Sequence, residues 1–181
     1  MKQWMFCILL LQSAWATADA LSDRLEGFST QKELRGSFVD TWHSVYLNEP
    51  IVSKGKLSYR APGQFRKLVE YPELVEQIIK ANRLYISRDG ETEIVQLSSQ
   101  KSLAAGIHAL RDVLDGNESS LREVFKTDYH ETAVGWQLEL TPKAEQVAEQ
   151  IVFQGKENRI HRVRINYQNG DHLITEILND I

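Results

Sequence analysis

The stretch Leu57-Ser58-Tyr59-Arg60-Ala61-Pro62-Gly63-Gln64-Phe65-Arg66-Lys67 constrains the fold of this chain more than any other. Before its corner, Gly55, Leu57 and Tyr59 alternate with Lys54, Lys56 and Arg60, the period-two pattern of a strand with one apolar and one polar face. Pro62 lacks an N–H and biases Ala61 toward extended geometry, while Gly63 accepts backbone angles that a Cβ disfavours, so the chain turns there. Beyond it Phe65, Lys67, Val69 and Tyr71 alternate with Arg66, Leu68 and Glu70. The two runs read as an antiparallel hairpin.

The remaining chain extends that pattern. Leu21, Leu25 and Phe28 recur at helical spacing and predict a short amphipathic helix. Residues 36–42 alternate with Phe38 and Trp42 on one side, and residues 51–60 and 64–71 form the hairpin after a loop at 46–50. Residues 75–80 and 83–87 pair around Ala81-Asn82, and Asp89-Gly90 is a tight-turn signal leading into a strand at 92–97. Six strands in meander order result. The period then changes: Leu103, Ile107, Leu110 and Leu114 lie on one face of a helix, with Ser98 or Ser99 to cap its start and Gly116 its end. A second short helix is expected from about Ser119, where Ser120 and Glu123 have capping-box spacing. Strands follow at 127–134 and 136–141, the latter with Trp136, Leu138 and Leu140 on one face. Thr141-Pro142 predicts one or two helical turns at 143–149. Strands at 151–154, 160–167 and 173–178 complete the sheet, with Asn169-Gly170 as a type I′ turn. The fold class is α+β, mainly antiparallel β.

Residues 1–20 have the layout of a secretory signal peptide: Lys2, an apolar run from Trp4 to Leu11, and small residues at Ala16-Thr17-Ala18 and Ala18-Asp19-Ala20 before a cut. The run is too short to span a bilayer, which needs about 20 apolar residues. Residues 21–181 are then a single domain. Cys7, the one cysteine, lies inside the leader, so the mature chain is expected to carry no disulfide and no cysteine metal site. The formal charge of −4 is unchanged by losing Lys2 and Asp19. That balance argues against nucleic acid, which demands a basic surface, and against static adhesion to anionic lipid.

Catalysis finds no foothold in the sequence. His43, His108, His130, His161 and His172 have no helical i, i+3 or i, i+4 partners for a metal, although His161 and His172 fall on adjacent strands and could face each other. No nucleophile elbow, phosphate loop or dinucleotide fingerprint occurs. A hydrophobic-ligand site needs apolar surface on the concave side of a sheet and a movable cover. Phe38, Trp42, Leu57, Tyr59, Phe65, Trp136, Leu138 and Leu140 are the candidates for the concave wall, and Leu103, Ile107, Leu110 and Leu114 for the cover. The same residues could equally pack on one another as a closed core.

The Tyr-x-x-Pro-Gly-x-Phe-Arg corner, the helix start Ser102-Leu103-Ala104-Ala105-Gly106 and the strand Trp136-Gln137-Leu138-Glu139-Leu140-Thr141-Pro142 together resemble the LolA family of periplasmic lipoprotein carriers. The resemblance implies an unclosed β-barrel of about 11 strands with helices covering its concave face, and acyl chains held between sheet and lid. It implies a monomer that is not an enzyme and uses no cofactor. Such a carrier takes acylated lipoprotein or lipid from an inner-membrane exporter and delivers it to an outer-membrane receptor. Many family members place an arginine directly before the corner proline, where it helps latch the lid. Here that position is Ala61, and alternation turns Arg60 the other way. These departures resemble a divergent branch associated with other lipids, including glycolipids and aryl-polyene lipids. A non-catalytic adaptor docking a protein partner through the same concave face is the alternative.

Overall fold

A computed structural model describes residues 16–99, 101–144 and 147–180. The chain lays down two antiparallel meanders. The first comprises β1 (Glu33–His43), β2 (Ile51–Arg60), β3 (Gln64–Tyr71), β4 (Val75–Lys80), β5 (Arg83–Arg88) and β6 (Glu91–Gln96). The second comprises β7 (Phe125–Thr132), β8 (Gly135–Pro142), β9 (Ala148–Lys156), β10 (Arg159–Tyr167) and β11 (His172–Asp180). They join where β1 pairs with β11, giving one sheet in the order β6-β5-β4-β3-β2-β1-β11-β10-β9-β8-β7. The edges β6 and β7 do not pair, so the sheet is an unclosed half-barrel.

This topology dictates where the helices lie. The chain leaves the sheet at one edge and re-enters at the other, so the connection must cross the open side. It does so through a 3-10 turn at Leu97–Ser99, α2 (Lys101–Asp115) and α3 (Glu118–Val124). Gly116, with φ +72°, ends α2 as the spacing predicts, and an added Cβ there would meet the Leu25 carbonyl oxygen at 2.9 Å. The amino-terminal helix α1 (Ala16–Ser29) runs beside α2.

Inward-facing residues form continuous cross-strand rows. Leu34, Tyr59, Phe65, Ile79 and Leu84 stand opposite one another from β1 to β5. Val163, Phe153, Leu138 and Tyr129 do the same from β10 to β7. The main core lies under α1: Leu21, Leu25 and Phe28 pack with Trp136, Leu138, Leu140, Ile151 and Phe153, together with Ala105, Ala109 and Val113 of α2. A smaller cluster joins Ala104 and Ile107 of α2 to Ile79, Leu84 and Leu97. The small residues of α2 let its backbone approach the sheet, and a Cβ on Gly106 would come within 2.7 Å of Ile165 Cδ1.

Several local expectations are corrected. Thr141 and Pro142 end β8 rather than start a helix. Lys126 and Phe125 pair with them, but β9 pairs with β8 only as far as Leu140, so the missing proline N–H falls where no ladder needs it. Among the described residues of 143–149 there is no helix, and Ala148 already belongs to β9. Asn117, not a serine, caps α3, its side chain accepting from the Ser120 N–H. The β10–β11 connection is not type I′: Tyr167 C=O accepts from the Gly170 N–H, and Gly170 carries the positive φ, the pattern of a turn closed by a glycine bulge. Asp89-Gly90, by contrast, has positive φ at both residues, as a type I′ turn requires. His172 faces His43 across β1–β11, ring centroids 4.4 Å apart, rather than His161. The expected leader lies outside the described residues through position 15, and residues 16–20 belong to α1.

Candidate functional site: the cavity beneath the crossover helix

Where α1 does not reach, the rows of the sheet and the underside of α2 stay apart. The space between them is a cavity of about 390 Å³, within the range of small-molecule sites. Leu57, Tyr59 and Phe65 form its floor, Ile79 and Leu84 one side, Val163, Ile165, Leu173 and Ile177 the other. Ile107, Leu110 and Leu114 form the roof, and Phe28 closes the end toward α1. Glu33, Arg35 and Arg159, all exposed, edge the cavity near the start of β1, so the hollow meets water there.

Six of the residues expected from the sequence therefore line this space: Leu57, Tyr59, Phe65, Ile107, Leu110 and Leu114. Trp136, Leu138 and Leu140 share the inward face but are sealed in the core under α1. The Trp136 ring meets Phe28 edge-on at 5.7 Å, and its Nε1–H donates to the Glu157 carbonyl at 2.7 Å. Phe38 is 1% exposed beneath the Lys67 ammonium, and Trp42 lies against Tyr167, so neither lines the cavity. Leu103 sits in the first turn of α2, but its side chain lies outside the described residues.

Sequence reasoning missed the walls from β4, β5, β10 and β11. On β10 a register shift between Ile160 and Arg162 breaks the alternation, so Ile160, Val163, Ile165 and Tyr167 face inward at unequal spacing. On β11 the inward Leu173, Thr175 and Ile177 alternate with Ile174, Glu176 and Leu178, and apolar residues on both faces hide the inner one. The single legible signal on β4 and β5 was the Ile79–Leu84 hairpin pair.

The corner at Pro62-Gly63 holds the roof in place. The Tyr59 hydroxyl donates to Asp115 Oδ1 at the end of α2, and burial followed by this carboxylate raises the tyrosine pKa. An added Cβ on Gly63 would stand 2.5 Å from Arg111 Cδ, so α2 rests directly on the corner. Arg111 also contacts His108 Nδ1 at 2.6 Å, and burial, then the Arg111 charge, lower the His108 pKa. Arg60 points outward to Glu33, 3.3 Å away. The contact between corner and lid is thus made by a tyrosine on the strand and a carboxylate on the helix.

Among the described residues no helix is long and apolar enough to cross a membrane. No curated protein matches the sequence. Among solved structures the fold is similar to a LolA superfamily protein from Nitrosomonas europaea, with TM-score 0.52 and 10% identity over 91% of this chain and 92% of that one. It is also similar to a DUF1329 family protein from Desulfovibrio piger, with TM-score 0.51 and 13% identity over 91% of each chain. A third similar structure is the MucA/MucB complex of Pseudomonas aeruginosa, with TM-score 0.50 and 13% identity over 91% of this chain and 56% of that one. The family model described as outer membrane lipoprotein carrier protein LolA-like matches residues 16–178. With that match spanning nearly its whole length, the half-barrel and its helical roof place the chain in the LolA-like family of outer membrane lipoprotein carrier proteins.

Proposed function

We propose that this protein is a periplasmic carrier that shelters acyl chains of lipoprotein, or of another lipid, between its sheet and α2 and moves them from the inner toward the outer membrane. The supporting observation is an apolar cavity left unfilled by the protein's own side chains, in a chain of this family. Each buried methylene is worth about 0.8 kcal/mol, so one lipid-length chain gains on the order of 10 kcal/mol over exposure to water. Escape into solution would be slow, so loading from an inner-membrane exporter and delivery to an outer-membrane receptor occur by direct contact. The wall consists of the lining residues Leu57, Tyr59 and Phe65 under the roof residues Ile107, Leu110 and Leu114. A leader over residues 1–20 exports the chain, and the carrier itself performs no chemistry.

Mass spectrometry of lipid co-purifying with the exported protein tests this reading, together with displacement of a fluorescent fatty acid. Saturable binding that is lost in Ile107→Asp is the expected result. Absence of saturable binding in the unaltered protein would overturn the carrier and leave the adaptor.

A further inference from the structure

The cavity lining is mostly apolar, with Ser58, Arg66, Lys67, Gln77 and Thr175 among its polar members, and two of these converge on a buried carboxylate. Asp40 of β1, 6% exposed, lies behind the wall and accepts from two residues that line it. Thr175 of β11 donates its hydroxyl to Oδ1 at 2.7 Å, and the Lys67 ammonium of β3 pairs with Oδ2. Lys67 reaches Asp40 across the intervening strand β2. Its ammonium sits 4.4 Å from the centroid of the Phe38 ring, which fixes the head from another side. An ammonium has three donors. One goes to Asp40 and one direction faces the ring; the side chain is 31% exposed, and Lys67 is among the residues lining the cavity.

An ion pair set into an apolar wall is weak evidence for stability, because desolvation offsets the attraction. It does supply a donor whose charge is already neutralised. A ligand carboxylate would place a second negative charge on one ammonium in a poorly solvated enclosure, whereas a carbonyl oxygen can accept the remaining N–H without a charge penalty. The Tyr167 hydroxyl, on the same cavity wall, is a further neutral polar group.

We propose that Lys67, neutralised by Asp40, is the anchor for the neutral carbonyl oxygen at the root of an acyl chain. The site then takes ester- or amide-linked acyl groups in preference to free fatty acids. This rests on the carrier reading and adds to it the residue that holds the head of the acyl chain.

The test compares three probes on the full exported protein: diphenylhexatriene, a fluorescent hydrocarbon with no polar group, and methyl laurate and laurate as its competitors. The double variant Lys67→Met/Asp40→Asn removes both charges, so neither is stranded, and circular dichroism verifies its fold. Expected are unchanged diphenylhexatriene affinity and a loss of roughly tenfold for methyl laurate, the size of one hydrogen bond to a charged donor. Asp40→Asn alone leaves the ammonium unneutralised and should shift the preference toward laurate. The anchor is overturned if methyl laurate binds the double variant as it binds the parent. It is equally overturned if diphenylhexatriene weakens in parallel, which would mean that the pair only shapes the cavity. Failure of all three probes to bind the parent protein would instead overturn the carrier reading itself.

Discussion

Beneath α1, the inward rows of β8 and β9 are filled: Leu140, Ile151 and Phe153 are each 0% exposed. Beneath α2, the inward rows of β2, β3 and β10 carry side chains of the same kind, yet Leu57, Phe65 and Ile165 are only half-buried and face a hollow. Composition does not distinguish these regions. The difference is a second layer. Over β7–β9, α1 adds Leu21, Leu25 and Phe28 to what α2 supplies. Its Arg24 ties α1 to β7 and the β9–β10 turn by donating to Tyr129, Glu131, Asn158 and the Glu157 carbonyl. Over the other half a single helix spans the same width of curved sheet, and the inner face exceeds what one helix can cover.

If one half is a core and the other a container, truncation should cost them unequally. Phe153→Ala is expected to lose about 3–5 kcal/mol by urea unfolding, and Ile165→Ala, on the cavity wall, no more than about 2 kcal/mol. Equal losses would erase the distinction. Enlarging side chains sharpens it in the opposite direction. Leu140→Trp has no space to enter and should cost about 1–3 kcal/mol, whereas Leu110→Trp should stay within about 1 kcal/mol of the parent while abolishing diphenylhexatriene binding.

The corner contact belongs to the container alone. Tyr59→Phe removes the hydrogen bond to Asp115, so a stability loss of about 1 kcal/mol is expected, with faster probe release by stopped-flow fluorescence. Unchanged release would show that Tyr59 does not restrain α2. A further effect is alkaline. Burial, then the charges of Asp40 and Asp171, push the Tyr167 pKa from 10.0 up to about 12. The unfolded chain therefore loses this proton first, and the associated stability, complete below pH 10.0, disappears as pH rises toward about 12. In Tyr167→Phe the urea midpoint should fall less steeply across that window.

Much of the fold was legible because strand alternation and turn chemistry are local. The hairpin at Pro62-Gly63, the six-strand meander and the helical stripe of α2 all occur where the spacing places them. Thr141-Pro142 misled because a proline that can open a helix can also close a strand, and only the length of β9 decides between them. The site was legible by half. Alternation marks which residues face inward, and it did so for Leu57 and Leu138 alike, but it carries no information on what stands opposite.

The amino-acid sequence by itself determined the element types, their meander order and the inward face of most strands, since each depends on neighbours a few residues away. Tertiary structure alone decided that β1 pairs with β11, that α1 fills one half of the trough, and that Asp40, Lys67 and Thr175 meet across three strands. Those outcomes depend on contacts between residues distant in the chain, where the geometry of a second layer, rather than the pattern of the first, determines whether an apolar surface becomes a core or a cavity.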